Sequence, residues 1–182
     1  MKAIALIPVM IFFYIFSLTA QNISSFEKSI LPIGNKGKKF SKEFYQWVES
    51  QSMIDILSSN KIDTVLANGK FVYQNPIPYP GSATISRMYT SQSNGYIVYK
   101  ILFVCKDDHY SIKLYDFEHQ SNSKTDKITF GKISNTENPP KYIMQDYDPE
   151  WGLQVWKNLK DQCLLVSTDF FSQLQTELAK LK

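Results

Sequence analysis

The sequence predicts an α+β domain: an antiparallel sheet with helices packed on one of its faces. Three observations carry that expectation. Two strand-like runs, Tyr96 to Cys105 and Tyr110 to Glu118, flank the short polar turn Lys106-Asp107-Asp108-His109, and both are rich in β-branched and aromatic residues. A segment with Phe44, Trp47 and Val48 at helical spacing precedes them, and a longer helical stripe follows from Trp151. Helices therefore bracket a run of strands instead of alternating with them one by one, which is the α+β pattern.

The hairpin specifies its own register. A two-residue Asp107-Asp108 loop pairs Cys105 with Tyr110, Phe103 with Ile112, Ile101 with Leu114 and Tyr99 with Asp116. The face these residues share is apolar or aromatic except for Asp116 near its open end. The opposite face pairs Val104 with Ser111, Leu102 with Lys113, Lys100 with Tyr115 and Val98 with Phe117. A slip of one residue would drive Ser111 and Lys113 into the apolar face, so the pattern excludes it. A lone hairpin is marginal in water and needs further strands and a covering layer.

The rest of the chain supplies them in order. Residues 1–20 read as a signal peptide: Lys2, the apolar run Ala3 to Phe16, and a small-residue exit ending at Ala20. The run approaches the lower limit for a membrane span, but Pro8 and the exit favour cleavage before Gln21. Residues 21–182 then form a single exported domain in the periplasm, cell envelope or exterior, with no stable membrane span. Phe26 to Ile33 is a first strand, at an edge because of Pro32, and the stretch to Lys39 is a turn. Ser41 caps a helix running to about Gln51. Ile62 to Leu66 and Phe71 to Gln74 form a second hairpin around Asn68-Gly69. The proline-rich Asn75 to Gly81 is an extended connector, and Ala83 to Thr90 adds a strand. Ile128 to Ile133 is one more short strand, and the segment from Ser134 to Pro149 is irregular. Trp156, Leu159, Cys163, Val166, Phe170, Leu174, Leu178 and Leu181 make the stripe of the last helix, which Ser167-Thr168-Asp169 threatens to split. Asp148 caps that helix and Pro149 takes its first position.

Composition narrows the function. Of 182 residues, 43% are hydrophobic and 14% aromatic, enough for one packed body. Without Lys2 of the leader, 19 bases face 17 acids, a net charge of +2. With Arg87 as the sole guanidinium, nucleic acid is excluded as a partner. Cys105 and Cys163 both fall on apolar stripes. A disulfide between them and a pair of buried free thiols are equally consistent with an exported chain.

No pattern for a cofactor or a metal appears, and His109 and His119 read as solvated residues at the ends of the second arm. Asp116, Asp146 and Asp148 are the carboxylates to suspect in a hydrolase-type acid-base site. The better candidate is the second hairpin face, where Val98, Leu102, Tyr115 and Phe117 interleave with Lys100 and Lys113. That set is too apolar for plain solvation. Either the proline connector covers it or it binds an envelope protein or a small apolar ligand. The expected function is therefore a non-enzymatic binding or interaction domain, with the enzyme as the alternative.

The run KDDHYSIKLYDFEH, the upstream SKEFYQWV helix, the leader ending in Ala-Gln and the helical tail together resemble a family of exported bacterial domains of unknown function. The fold of that family is TATA-box-binding-protein-like, and the resemblance implies the same fold and location here. It spans roughly Phe26 to Glu118 and the tail. Asp108 stands where the family commonly has glycine, and Asn75 to Gly95 is an added segment. The resemblance brings no catalytic residues with it, and the fold name does not imply DNA binding.

Overall fold

The computed structural model describes residues 25–30, 37–60, 64–106, 109–123 and 127–179. Among these, the elements run β1 (Ser25–Ile30), α1 (Gly37–Ser50), β2 (Ile54–Asn60), β3 (Thr64–Tyr73), α2 (Ala83–Gln92), β4 (Gly95–Lys106), β5 (His109–Ser121), β6 (Gly131–Lys132), α3 (Lys141–Asp146) and α4 (Pro149–Ala179). The strands form one antiparallel sheet in the order β1-β5-β4-β3-β2, and the two-residue β6 adds to β5 beyond the end of β1. The fold is α+β. The expected leader and the Asp107-Asp108 loop lie outside the described residues.

β4 and β5 are the middle of the sheet, and the register read from sequence holds over six pairs, from Cys105↔Tyr110 to Lys100↔Tyr115. It then breaks. Val98 pairs with Glu118, so Asp116 and Phe117 both stand opposite Tyr99 in a β-bulge. Asp116 takes φ 55, a left-handed conformation that short polar side chains tolerate. The extra residue reverses the side-chain alternation beyond it. Phe117 turns into the core, stacking on Tyr99 at 5.3 Å and meeting Phe26 edge-on at 5.6 Å. Asp116 turns the other way. The expected pairs Val98–Phe117 and Tyr99–Asp116 are both corrected by this single residue.

α1 and α4 lie over the same face. Phe44 of α1 stacks on Phe103 at 4.3 Å, and Trp47 meets Phe170 of α4 at 5.3 Å. From α4, Trp151, Val155, Trp156, Leu159, Cys163, Phe170 and Leu174 are buried in the core with Val65, Ile97, Ile101, Ile112 and Leu114 of the sheet. α4 runs unbroken through Ser167-Thr168-Asp169, and the two hydroxyls of that triplet bond back within the helix. Ser167 Oγ donates to the Cys163 carbonyl (2.7 Å) and Thr168 Oγ1 to that of Leu164 (2.8 Å). Its start is the predicted one, since Asp148 Oδ1 accepts the Trp151 N–H at 2.8 Å ahead of Pro149.

Four local expectations give way in the folded chain. Asn68-Gly69 is no turn but the middle of β3, whose ten residues all pair with β4. The glycine serves a different need: a Cβ there would lie 2.3 Å from Tyr99 Cζ, so its bare face accepts the Tyr99 ring. The strand expected at Ala83 to Thr90 is helix α2, begun by Ser82, whose Oγ accepts the Ile85 N–H at 3.4 Å. α1 begins at Gly37, taking in residues read as a turn, and α3 forms inside the segment read as irregular. Both cysteines are free thiols, Cys105 half-buried and Cys163 buried.

Candidate functional site

The face of the sheet opposite α1 and α4 carries no covering layer among the described residues. Its side chains fall into rows across the strands. One row holds Lys70, Val98 and Glu118, with Lys132 of β6 beside Glu118. The next holds Asp55, Asn68, Lys100 and Tyr115, and a third holds Ser58, Leu66, Leu102, Lys113 and Glu27. The proline connector, one candidate cover, goes elsewhere. Tyr79 stacks on Tyr89 of α2 at 4.2 Å, and the Ile77 carbonyl accepts the Trp151 Nε1–H at 3.1 Å, so the connector closes the start of α4.

The predicted binding residues are thus split. Val98, Lys100, Leu102, Lys113 and Tyr115 share the open face, with Val98, Leu102, Lys113 and Tyr115 half-buried and Lys100 exposed. Phe117 does not belong to it; the bulge places it wholly inside the core. The Lys100 and Lys113 ammoniums each sit 5.8 Å from the Tyr115 ring centre, two cation–π contacts to one aromatic.

Asp116 is the best-organised polar group on this face. Its carboxylate accepts from Lys132 Nζ at 2.9 Å and from Lys100 Nζ at 3.0 Å. Hydrogen bonds from Lys132 and then Lys100 hold its carboxyl below the usual range, and Asp116 raises Lys100 in return. These groups are well exposed, so the pairs add little stability. Their effect is to fix directions. Around them lies a hollow of about 400 Å³, lined by Asp55, Asn68, Gly69, Lys70, Val98 and Tyr99, together with Lys100, Asp116, Glu118, Gln120 and Lys132. Sequence reading missed Asp55, Asn68, Lys70, Glu118, Gln120 and Lys132. The signal available was the polar alternation of β3, hidden by reading Asn68-Gly69 as a turn.

The suspected carboxylates do not converge. The hollow around Asp116 contains neither Asp146 nor Asp148, and Asp148 is engaged as the cap of α4. The histidine reading is also corrected. His119 is fully buried, its Nε2–H donating to the Ser93 carbonyl (3.0 Å) while Nδ1 accepts the Phe130 N–H (3.1 Å). Burial lowers its pKa to about 4, outweighing the opposing bond to Ser93. It is a structural tie between β5, the end of α2 and the segment before β6. Among the described residues no cluster of potential metal ligands occurs and no helix is long and apolar enough to cross a membrane.

This architecture has a solved counterpart. A crystal structure of a DUF4468 family protein from Bacteroides ovatus is similar over 85% of this chain and 85% of its own, with a TM-score of 0.50 at 15% identity. The two share a fold. A TBP-like protein from Parabacteroides distasonis is similar at a TM-score of 0.47 and 15% identity, over 85% of this chain and 92% of that one. No family model matches the sequence, and no curated protein matches it. At this identity the likeness speaks for architecture and leaves function to be argued from the site.

Proposed function

We propose that the chain is an exported, non-enzymatic binding domain that engages its ligand on the open sheet face around Lys100, Lys113 and Tyr115. One observation carries this reading. Both long helices cover one face of the sheet, while Leu66, Val98, Leu102 and Tyr115 stand half-buried on the other with no described element above them. Half-buried aliphatic residues around an aromatic in contact with two lysine ammoniums have the composition of a contact surface better than that of a solvated one. The separation of Asp116 from Asp146 and Asp148 lends no support to the hydrolase alternative. Export rests on the apolar leader of the sequence.

The test places a photo-crosslinking residue at position 115 of the full chain in its native cell, with a control at Ser172, an exposed position on α4. The expected result is an adduct in the envelope or exterior fraction from position 115 alone. Excess purified wild-type protein should compete it away, and the Tyr115→Ser variant should not. Equal labelling from both positions, or an adduct confined to the cytoplasm, would overturn the reading.

A further inference from the structure

The hollow beside Tyr115 has a composition that selects its occupant. Three ammoniums line it, from Lys70, Lys100 and Lys132, and three carboxylates, from Asp55, Asp116 and Glu118. The lining charge is therefore zero. Two side-chain amides, Asn68 and Gln120, supply further donors and acceptors, and Gln120 Nε2 already donates to Glu118 Oε1 at 3.3 Å. A small apolar ligand, one of the partners expected from sequence, would strip water from these groups and return no hydrogen bond. An anion would meet three carboxylates, and a cation three ammoniums. A neutral molecule whose every group both donates and accepts meets neither penalty.

A second observation bears on the same place. Asp116 is the sole non-glycine residue with positive φ among the described residues, and it occupies the bulge that aims its carboxylate into the hollow. A backbone held in a sparsely populated region, at a bulge, commonly serves to direct a side chain. Here the directed carboxylate lies between two ammoniums, at 2.9 and 3.0 Å. Acceptor and donors are thus fixed side by side, so one ligand hydroxyl can donate to the carboxylate while its neighbour accepts from an ammonium. The volume of about 400 Å³ lies within the range of small-molecule sites.

We infer that this hollow binds a neutral polyhydroxylated ligand of the saccharide class, with Asp116, Lys100 and Lys132 as its polar anchor. The inference rests on the reading of the open face as a binding surface and gives that surface a ligand chemistry. The ligand's hydroxyls donate to Asp116 and Glu118 and accept from the lysines and amides, while the Tyr115 ring stands in the neighbouring position of the row.

The test follows backbone amide shifts of the isotope-labelled protein against three sets of probes. Maltotriose, cellotriose and sorbitol are neutral, glucuronate and inorganic phosphate are anionic, and glucosamine is cationic. The expected result is saturable shifts at Asn68, Lys100, Asp116 and Glu118 with a neutral probe, at a Kd of about 1 mM or tighter. Asp116→Asn, which tolerates the same backbone, should weaken that binding at least about tenfold without moving the thermal midpoint. A neutral probe that binds both proteins equally, or charged probes that saturate while neutral ones do not, would overturn the inference. No shift with any probe, alongside a competed adduct from position 115, would overturn it and leave the binding face standing. No shift and no adduct would remove both.

Discussion

His119 offers the sharpest quantitative test of the packing. Its two ring nitrogens are both used, one as donor to Ser93 and one as acceptor from Phe130, which fixes the neutral Nε2–H tautomer. The group facing it from β3 is Tyr73, 5.3 Å away and edge-on, whose own pKa burial raises, so no charge there titrates alongside it in acid. With a folded pKa of about 4 against 6.5 unfolded, the unfolded chain binds the proton first. Stability from this residue is whole above pH 6.5, falls as pH drops below that value, and is fully lost below about pH 4. Linkage between those values gives a loss of about 2 kcal/mol from about pH 7.5 to about pH 5. In a chain of this size that moves the thermal midpoint by roughly 4 to 8 °C. Urea unfolding of wild type and His119→Gln at both pH values isolates the residue, because carboxylate titration is common to the two. The variant is less stable at neutral pH and loses about 2 kcal/mol less on acidification. Parallel losses in the two proteins, or nitrogen shifts showing the Nδ1–H tautomer, would refute the argument.

Other expectations follow from single contacts. Phe117→Ala costs about 3 to 5 kcal/mol in urea unfolding, as a core aromatic does, whereas Tyr115→Ser leaves a folded monomer by circular dichroism and light scattering. At Asp116 the backbone matters most: Asp116→Val is less stable than Asp116→Gly by about 1 to 2 kcal/mol, and equal midpoints would deny the left-handed conformation. A Cβ at Gly95 would lie 2.0 Å from the Gln120 carbonyl oxygen, so Gly95→Ala costs about 3 kcal/mol and exposes the β4–β5 amides to exchange. Cys105 reacts with a thiol reagent in the native protein faster than Cys163, whose thiol burial pushes up and which needs unfolding to react; equal native rates would contradict the fold.

The parts legible in the sequence are those where local pattern and long-range packing agree. The register from Cys105↔Tyr110 to Lys100↔Tyr115 was set by which residues are oily, and pairing obeyed it. The stripe from Trp156 to Leu174 was equally plain, as was the Asp148-Pro149 start of α4. Reading failed where a residue had two physical uses. Asn68-Gly69 is a strong turn signal, yet the glycine was needed for the ring of Tyr99 and the asparagine for the open face. Ala83 to Thr90 alternates loosely as a strand, while Ser86, Tyr89 and Thr90 keep the helical spacing of the side that α2 turns inward. The bulge could not be seen, because Asp116 and Phe117 fit an unbroken strand with the acid on the wrong side. Half of the hollow was invisible for the same reason, since its residues come from β2, β3 and β6 and meet only in the folded sheet.

The placement of β1 has a consequence for how the molecule is made. Glu27 bonds Ser111 across 84 positions of chain, and among the described residues β1 pairs only with β5. At about 5 to 20 residues per second, a ribosome needs roughly 4 to 17 s to deliver that partner after β1 has emerged. Over that interval Phe26 is unprotected, and the sheet cannot close from its beginning. Closure has to wait for the β4–β5 ribbon, onto which the earliest strand is added among the last.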